Sequence, residues 1–328
     1  MSLRRGQLLG ASLLGTMFIV AAGGSMIATN DPSQQFADFP FAPPMRPHLV
    51  DATGRIRAPF VYPLRLEDRL ERRYSEDRAH PQTLRWLSGG LASVEGAPWF
   101  PLGTDALGRD VFARLVRGAR LSLGVALAAS LCALVFGASI GGVAGLAGGL
   151  VDDGLMRVTE LVMGLPVIYA ALTLRAALPL VLTDGQVFWT MTGIFGLIGW
   201  PLAARGVRAI VSVERRKEYA EAARSAGSGS TRLLLRHLLP ATWGFLAVQA
   251  TLLVPAFIIA EATLSYVGLG FPGPAPSWGV MLQDAGAGRA LADAPWLLSP
   301  AIAIAATVLG TNLVAPDAHR IVPITHSQ

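Results

Sequence analysis

Runs of uncharged, apolar residues long enough to cross a lipid bilayer recur through this chain, and no other feature narrows its fold so far. Crossing about 30 Å of hydrocarbon as a helix takes about 20 apolar residues at about 1.5 Å each. Such runs occupy Gly6–Asn30, Leu121–Val151, Gly185–Ala204, Leu238–Ala260 and Ala294–Pro316. A further stretch, Leu155–Leu182, is also hydrophobic but contains Arg157, Glu160 and Arg175. One such run fits a buried core helix; several at full membrane length do not fit a soluble fold. Composition agrees, with 15% of the 328 residues charged and 52% hydrophobic, where soluble domains carry about 25% charged residues. The expected fold class is an all-α polytopic membrane protein with six transmembrane helices.

Positive charge near span ends is retained on the cytoplasmic side. Arg4 and Arg5 place the N-terminus inside. Small residues after the first run, in AAGGSMIA, also suit a cleaved secretory signal. Its uncharged length exceeds the roughly 7–15 residues of a signal core, which favours an uncleaved anchor. The segment between Trp200 and Pro240 falls inside on the same count, and it carries Arg205, Arg208, Arg215, Arg216, Lys217, Arg224, Arg232 and Arg236. The arginine-containing segment after the first span lies outside without conflict, because the charge bias weakens for loops beyond about 60 residues. A formal charge of +5 raises the question of nucleic acid, but arginines spread around membrane ends are accounted for by lipid headgroups. Membrane lipid is therefore an expected partner and nucleic acid is not. The single Cys132 sits in an apolar run and has no partner for an internal disulfide.

The expected organisation is an N-terminal transmembrane anchor at 1–29, an extracytoplasmic insert at 30–101, a transmembrane domain at 102–316 with a cytoplasmic loop at 205–240, and a cytoplasmic tail at 317–328. Within the insert, Leu64–Asp77 reads as a short charged helix, and no strand-rich segment stands out. In LGTDALGRDVFARLVRGARLSL, Thr104 or Asp105 is positioned to cap a helix whose face is Val111, Phe112, Leu115, Val116 and Ala119. Arg114, Arg117 and Arg120 leave that face for the headgroups, as in an interfacial helix feeding the second span. Gly137, Gly141, Gly145 and Gly149 recur every fourth residue, a seam along which a neighbouring backbone comes close. TDGQ, with Asp184-Gly185, reads as a tight turn between the third and fourth spans.

Several chemistries are excluded. GASIG at Gly137–Gly141 matches the Gly-x-Ser-x-Gly elbow of serine hydrolases, but His48, His80, His237, His319 and His326 all lie outside the hydrocarbon runs where Ser139 sits. A phosphate-binding loop needs a Gly-Lys-Ser/Thr step, and the only lysine is Lys217, in RRKEY. No His-Glu-x-x-His pattern or other dense ligand cluster suggests a metal.

The segment EYAEAARSAGSGSTRLLLRHLLP, Glu218–Pro240, interrupts this apolar chain. Its alanines and glutamates favour helix, Gly227 offers a stop, and Ser228-Gly229-Ser230 permits a change of direction before a helix resumes at Arg232–Leu239. Ala220, Ala222, Ala223 and Ala226 leave the first helix slim, with Glu221 and Arg224 as a polar edge. Composition alone fits an ordinary cytoplasmic loop as well. The segment resembles, however, the Glu-Ala-Ala loop of permease subunits in ATP-binding cassette importers. Glu221, Ala222, Ala223, Gly227, Leu239 and Pro240 match that family's spacing, with His237 in place of its Ile. LGTDALGRD and AEATLSYVGLGFPGPAPSWGVML are similar to segments of the dipeptide and oligopeptide branch, so the matches cover most of Pro101–Asp284. An N-terminal span followed by a long external insert resembles the "C" permease of the pair.

That resemblance implies a type I importer permease fold and a bacterial cytoplasmic membrane location with both termini inside. It implies as partners a second homologous permease, two ATP-binding cassette ATPases and an extracytoplasmic solute-binding protein. The chain itself would be non-catalytic and hold no cofactor, ATP and Mg being on the ATPases. The Glu-Ala-Ala residues would be the ATPase-coupling loop, and the cargo a di- or oligopeptide, with nickel or an oligosaccharide as alternatives. Two departures bear on the cargo: the long insert Asp31–Trp99, and a tail, TNLVAPDAHRIVP, without the usual Asn-Leu-Leu-Gly-Asp. An ion-coupled carrier is the rival class, and it predicts inverted repeats around broken helices, which the sequence does not display.

Ionisable groups within spans cost about 2.5–3.5 kcal/mol at the centre on insertion scales. Arg157 and Glu160, one turn apart, read as a pair or as snorkelling groups. Arg175 and Glu261 either snorkel or line a solute path, where their opposite charges suit the two termini of a peptide. Pro166 and Pro255 mark expected kinks.

Overall fold

The computed structural model describes residues 5–51, 54–69, 71–86, 92–94, 97–179, 181–272, 275–286 and 293–315. Arg4, Pro316 and the tail 317–328, for which a position was expected from sequence, lie outside the described residues. Among the described residues, five helical stretches are long and apolar enough to cross a membrane: Arg5–Ala22, Val111–Ala147, Asp184–Glu214, Ser230–Tyr266 and Pro295–Val314. The first three are single helices, here α1, α3 and α6. The other expected span is not one rod. It consists of α4 (Gly149–Met163) and α5 (Val167–Ala176), bent by 83°. Pro166 sits in the break with extended backbone; it lacks an N–H and disfavours helix at the residue before it. Sequence predicts a kink there but no broken helix, so the break is a correction. Pro255, by contrast, lies inside the unbroken helix α9 (Trp243–Tyr266).

Two compact units divide the chain. One comprises Met1–Ser12, Val125–Ala260 and Val308–Gln328. Its organising contact is the glycine seam. A Cβ on Gly137 would lie 2.5 Å from Ala203 Cβ, one on Gly141 2.2 Å from the Ala204 carbonyl oxygen, and one on Gly145 2.8 Å from the Arg208 carbonyl oxygen. Only bare backbone allows α3 and α6 to approach so closely. Gly149 is not part of the seam, since nothing lies within 4 Å of its Cβ position. Arg208 clamps Asp152 of α4 through paired hydrogen bonds, and the Arg215 guanidinium donates to the Leu146 carbonyl at 2.7 Å, satisfying an orphan acceptor at the end of α3. TDGQ is not a reversal: Thr183 and Gln186 form a capping box, and Asp184 begins α6.

The second unit comprises Leu13–Gly124 and Glu261–Thr307. After the short helix α2 (Gly24–Ile27), the insert is built of strands, against the expectation of none. A sheet of order β1-β2-β5-β6 joins His48–Val50, Ile56–Val61, Gln82–Trp86 and Ala92–Val94, all antiparallel. The stretch expected as a charged helix is the hairpin β3 (Leu64–Asp68) and β4 (Arg73–Glu76). Along β3 exposure alternates, with Leu64 and Leu66 less exposed than Arg65 and Glu67; that is a period of two, not of 3.6. Register between β1 and β2 shifts opposite Arg57–Pro59, and an irregular site is where a strand tolerates proline. Met45, Val61, Leu84 and Phe100 form the buried core, with the Phe36 ring edge-on to Phe100 at 5.1 Å.

Asp110, not Thr104 or Asp105, caps α3. Its Oδ1 accepts the Phe112 N–H at 2.9 Å, and its Oδ2 accepts from Thr29 and Asn30 at 2.8 Å. Burial pushes this carboxyl above the usual carboxylate range, opposed by those hydrogen bonds. Helix α3 runs from Val111 to Ala147 without a separate interfacial piece. Arg117 and Arg120 are exposed, but Arg114 does not reach for headgroups: it is 1% exposed. It joins Arg109, Asp105 and Asp284 in a closed quartet. Asp105 Oδ2 accepts from Arg109 at 2.7 Å and Arg114 at 3.0 Å, and Asp284 Oδ2 from the same two at 2.8 and 2.9 Å. Asp284 lies in α10 (Trp278–Ala285). Two carboxylates against two guanidinium groups make burial tolerable, and removal of one partner strands a charge. Asp105→Ala is expected to lower stability by about 3–5 kcal/mol, read as a depressed midpoint in thermal unfolding of the detergent-solubilised chain. Asp284→Ala should cost less, because its side chain is 35% exposed.

Candidate functional site: the bent loop and the charges in the spans

Helix α6 ends at Glu214, whose carboxylate ties down the start of the loop. It takes a hydrogen bond from Lys217 at 2.7 Å and from the Tyr219 hydroxyl at 2.8 Å. Burial, with this hydrogen bond and the carboxylate charge, pushes the Tyr219 phenol up to about 12, so it remains a donor at neutral pH. The elbow is not legible from composition.

Helix α7 (Glu218–Ser225) comes next. Its inner side carries Ala220, fully buried, and Ala223, partly buried, against Val207, Val211, Leu233, Leu234 and Leu238. Leu239 packs on the same cluster, so the structure brings Ala223 and Leu239 together. Glu221, Ala222, Gly227 and Pro240 are exposed. A helical period thus splits α7 into an apolar anchor and an open, small-residue face.

Gly227 ends the helix. The Ser228 N–H donates to the Ala223 carbonyl at 3.0 Å and the Gly227 N–H to the Arg224 carbonyl at 2.9 Å, the paired bonds of a Schellman motif. Gly227 has φ +83, where an L side chain is strained. From Gly229 the chain enters α8 (Ser230–Leu233), passes through a π turn at Leu234–Leu238 and a 3-10 turn at Leu239–Thr242, and becomes α9. Pro240 gives the reason: it has no N–H, and its ring crowds the carbonyl four residues back. The expected order of helix, bend and helix is what the structure has.

Arg175 and Glu261 fall in different units, and both are buried, at 1% and 0% exposure. Neither snorkels. Glu261 accepts from Ser122 at 2.8 Å and Ser265 at 2.7 Å, and Ser122 in turn accepts the Trp278 N–H at 3.1 Å. Arg175 donates to the Pro179 carbonyl at 3.1 Å, and its Nε has no acceptor. Among the described residues no carboxylate is paired with it. Arg157 and Glu160 are exposed and, among the described residues, form no ion pair, so of the two expected alternatives, pairing or snorkelling, the pairing is absent.

These spans, the broken third crossing and the bent loop define a helical integral membrane protein of permease type. Residues 120–322 match the family described as Binding-protein-dependent transport system inner membrane component, and the chain belongs to that family. Its fold is that of the type I importer permeases. The oligopeptide transport system permease protein of Bacillus subtilis is 38% identical over 217 residues, 66% of this chain and 68% of that one. A Brucella suis protein provisionally named a peptide permease is 38% identical over 229 residues, 68% of this chain and 73% of its own length. The di/tripeptide transport system permease protein of Pseudomonas aeruginosa is 31% identical over 311 residues, 94% of this chain and 85% of that one. The resemblance to the dipeptide and oligopeptide branch therefore holds. Permeases of such importers work with ATPase and substrate-binding partners.

Gly227→Ala is expected to cost about 1–2 kcal/mol through the left-handed backbone alone, since nothing lies within 4 Å of the Cβ position. Gly229→Ala, at φ −65, should be nearly neutral in the same thermal unfolding measurement.

Proposed function

We propose that this chain is one of two permease subunits of an ATP-driven importer for di- and oligopeptides, set in the bacterial cytoplasmic membrane with both termini inside. A second homologous permease, two cassette ATPases and an extracytoplasmic solute-binding protein complete the assembly. ATP and Mg reside on the ATPases, and this chain is non-catalytic. The cargo reading is supported by the peptide permeases among its relatives.

The observation that carries the mechanism is the split face of α7. Glu221 and Ala222 are exposed while Ala220 and Ala223 lock the helix to α6 and to the start of the fifth span. A soluble partner seated on the open face pushes a body that has no slack against the spans. Glu221 and Ala222 are the contact, Gly227 holds the bend, and Leu239 and Pro240 pass the displacement into α9. Closure of the ATPases thereby rocks the spans between inward-open and outward-open states. Glu221→Arg combined with Gly227→Val is expected to abolish ligand-stimulated ATP hydrolysis in the reconstituted complex and weaken ATPase docking; unchanged docking and hydrolysis overturn the assignment.

For the solute path, Arg175 is the better supported of the two charged candidates. A buried guanidinium with an unpartnered Nε suits an incoming carboxylate, whereas the hydrogen bonds on Glu261 support a structural role. Arg175→Ala, at normal abundance, should reduce uptake of a labelled peptide at least tenfold, and a wild-type rate removes Arg175 from the path. One observation favours the rival, ion-coupled carrier: the 83° break between α4 and α5, since such carriers bind solute at broken helices. Peptide uptake by this chain alone in liposomes decides for that rival; uptake only with the ATPases decides against it.

A further inference from the structure

The end of α3, the turn after α7 and the start of α8 enclose a groove of about 520 Å³. Its lining joins two chemistries. Leu146, Leu234 and Leu235 are hydrocarbon, and Arg224, Ser228 and Thr231 present a guanidinium and two hydroxyls. No acidic side chain lines it. The Arg224 guanidinium is exposed and, among the described residues, has no ion-pair or hydrogen-bond partner. Arg232 and Arg236, on the next helical stretch, are likewise exposed and unpaired among them.

The apolar part does not stop at the groove. Val143 and Leu235 belong both to the lining and to the exposed surface, at 45% and 61%. Val143 lies in the second span and Leu235 at the entry to the fifth. A site that is cationic at one part and continuous with span surface at another matches one class of molecule, a phosphate carrying an acyl chain. The cytoplasmic leaflet is also where anionic lipid concentrates.

We propose that this groove binds an anionic phospholipid of the inner leaflet. Its phosphate meets Arg224 with the hydroxyls of Ser228 and Thr231, and an acyl chain lies along Leu146, Leu234 and Leu235. The proposal requires the inside placement of the loop but not the peptide cargo or the force-receiving role of α7. A lipid held there would stiffen the turn at Gly227 in proportion to the charge of the leaflet.

The experiment is native mass spectrometry of the full chain in mild detergent, titrated with palmitoyl-oleoyl phosphatidylglycerol or its phosphatidylcholine counterpart. Wild type should retain the anionic lipid preferentially, and Arg224→Gln should lower that retention about fivefold, the effect of one basic group near an anionic surface. Arg216→Gln, exposed and outside the groove, should change nothing. Equal retention of the two lipids, or full retention by Arg224→Gln, overturns the proposal. So does displacement by water-soluble glycerophosphoglycerol at the same concentration, since the acyl chain then contributes nothing. In the assembled transporter, a photoreactive residue replacing Leu235 should label lipid; labelling of a partner subunit instead assigns the groove to protein and ends the lipid reading.

Discussion

Hydrocarbon offers the backbone no hydrogen-bond partner, and this constraint orders most of what the chain does. Every crossing must close its own N–H and C=O groups, so the spans are helices. Helices in lipid gain nothing from hiding apolar surface from one another, so they must associate by close contact. The seam at Gly137, Gly141 and Gly145 is that contact. It fixes α3 on α6, and α6 in turn carries the elbow at Glu214 and the anchored side of α7. The loop's rigidity is therefore inherited from backbone packing within the bilayer.

The charged groups obey the same constraint. Arg114 is accepted inside because Asp105, Arg109 and Asp284 close a neutral quartet around it. Glu261 is accepted because serines surround it. Arg175 has only a carbonyl, and it is the incomplete group among these, with an Nε that has no acceptor.

Legible in the sequence is whatever depends on local pattern. The places of the apolar spans, the stop at Gly227, an interruption at Pro166 and three of the four seam glycines are encoded in runs or spacings of a few residues. The insert misleads a reading that weighs charge above period: Leu64 and Leu66 alternate with Arg65 and Glu67, and the alternation is the better guide. Arg114 is misplaced for a different reason. Its partner Asp284 is 170 residues away, and no local pattern announces such a pairing. The bidentate pairing of Arg208 with Asp152, 56 residues apart, is hidden in the same way. Arg175 and Glu261 stand out as unusual in sequence, but only the folded arrangement distinguishes a satisfied carboxyl from an unsatisfied guanidinium.

The wide turn at Leu234–Leu238 sets a condition on the gene as well as on the protein. A π turn is an ordinary helix that has taken in an extra residue, and each residue advances a helix by about 100°. Deleting a single codon there would remove that extra residue, yet it would swing everything upstream about the axis of the fifth crossing and turn Glu221 and Ala222 away from their present bearing. The bearing of α7 is therefore written in chain length: a substitution at the exposed Leu235 or Arg236 leaves it alone, whereas a change in the count of residues does not.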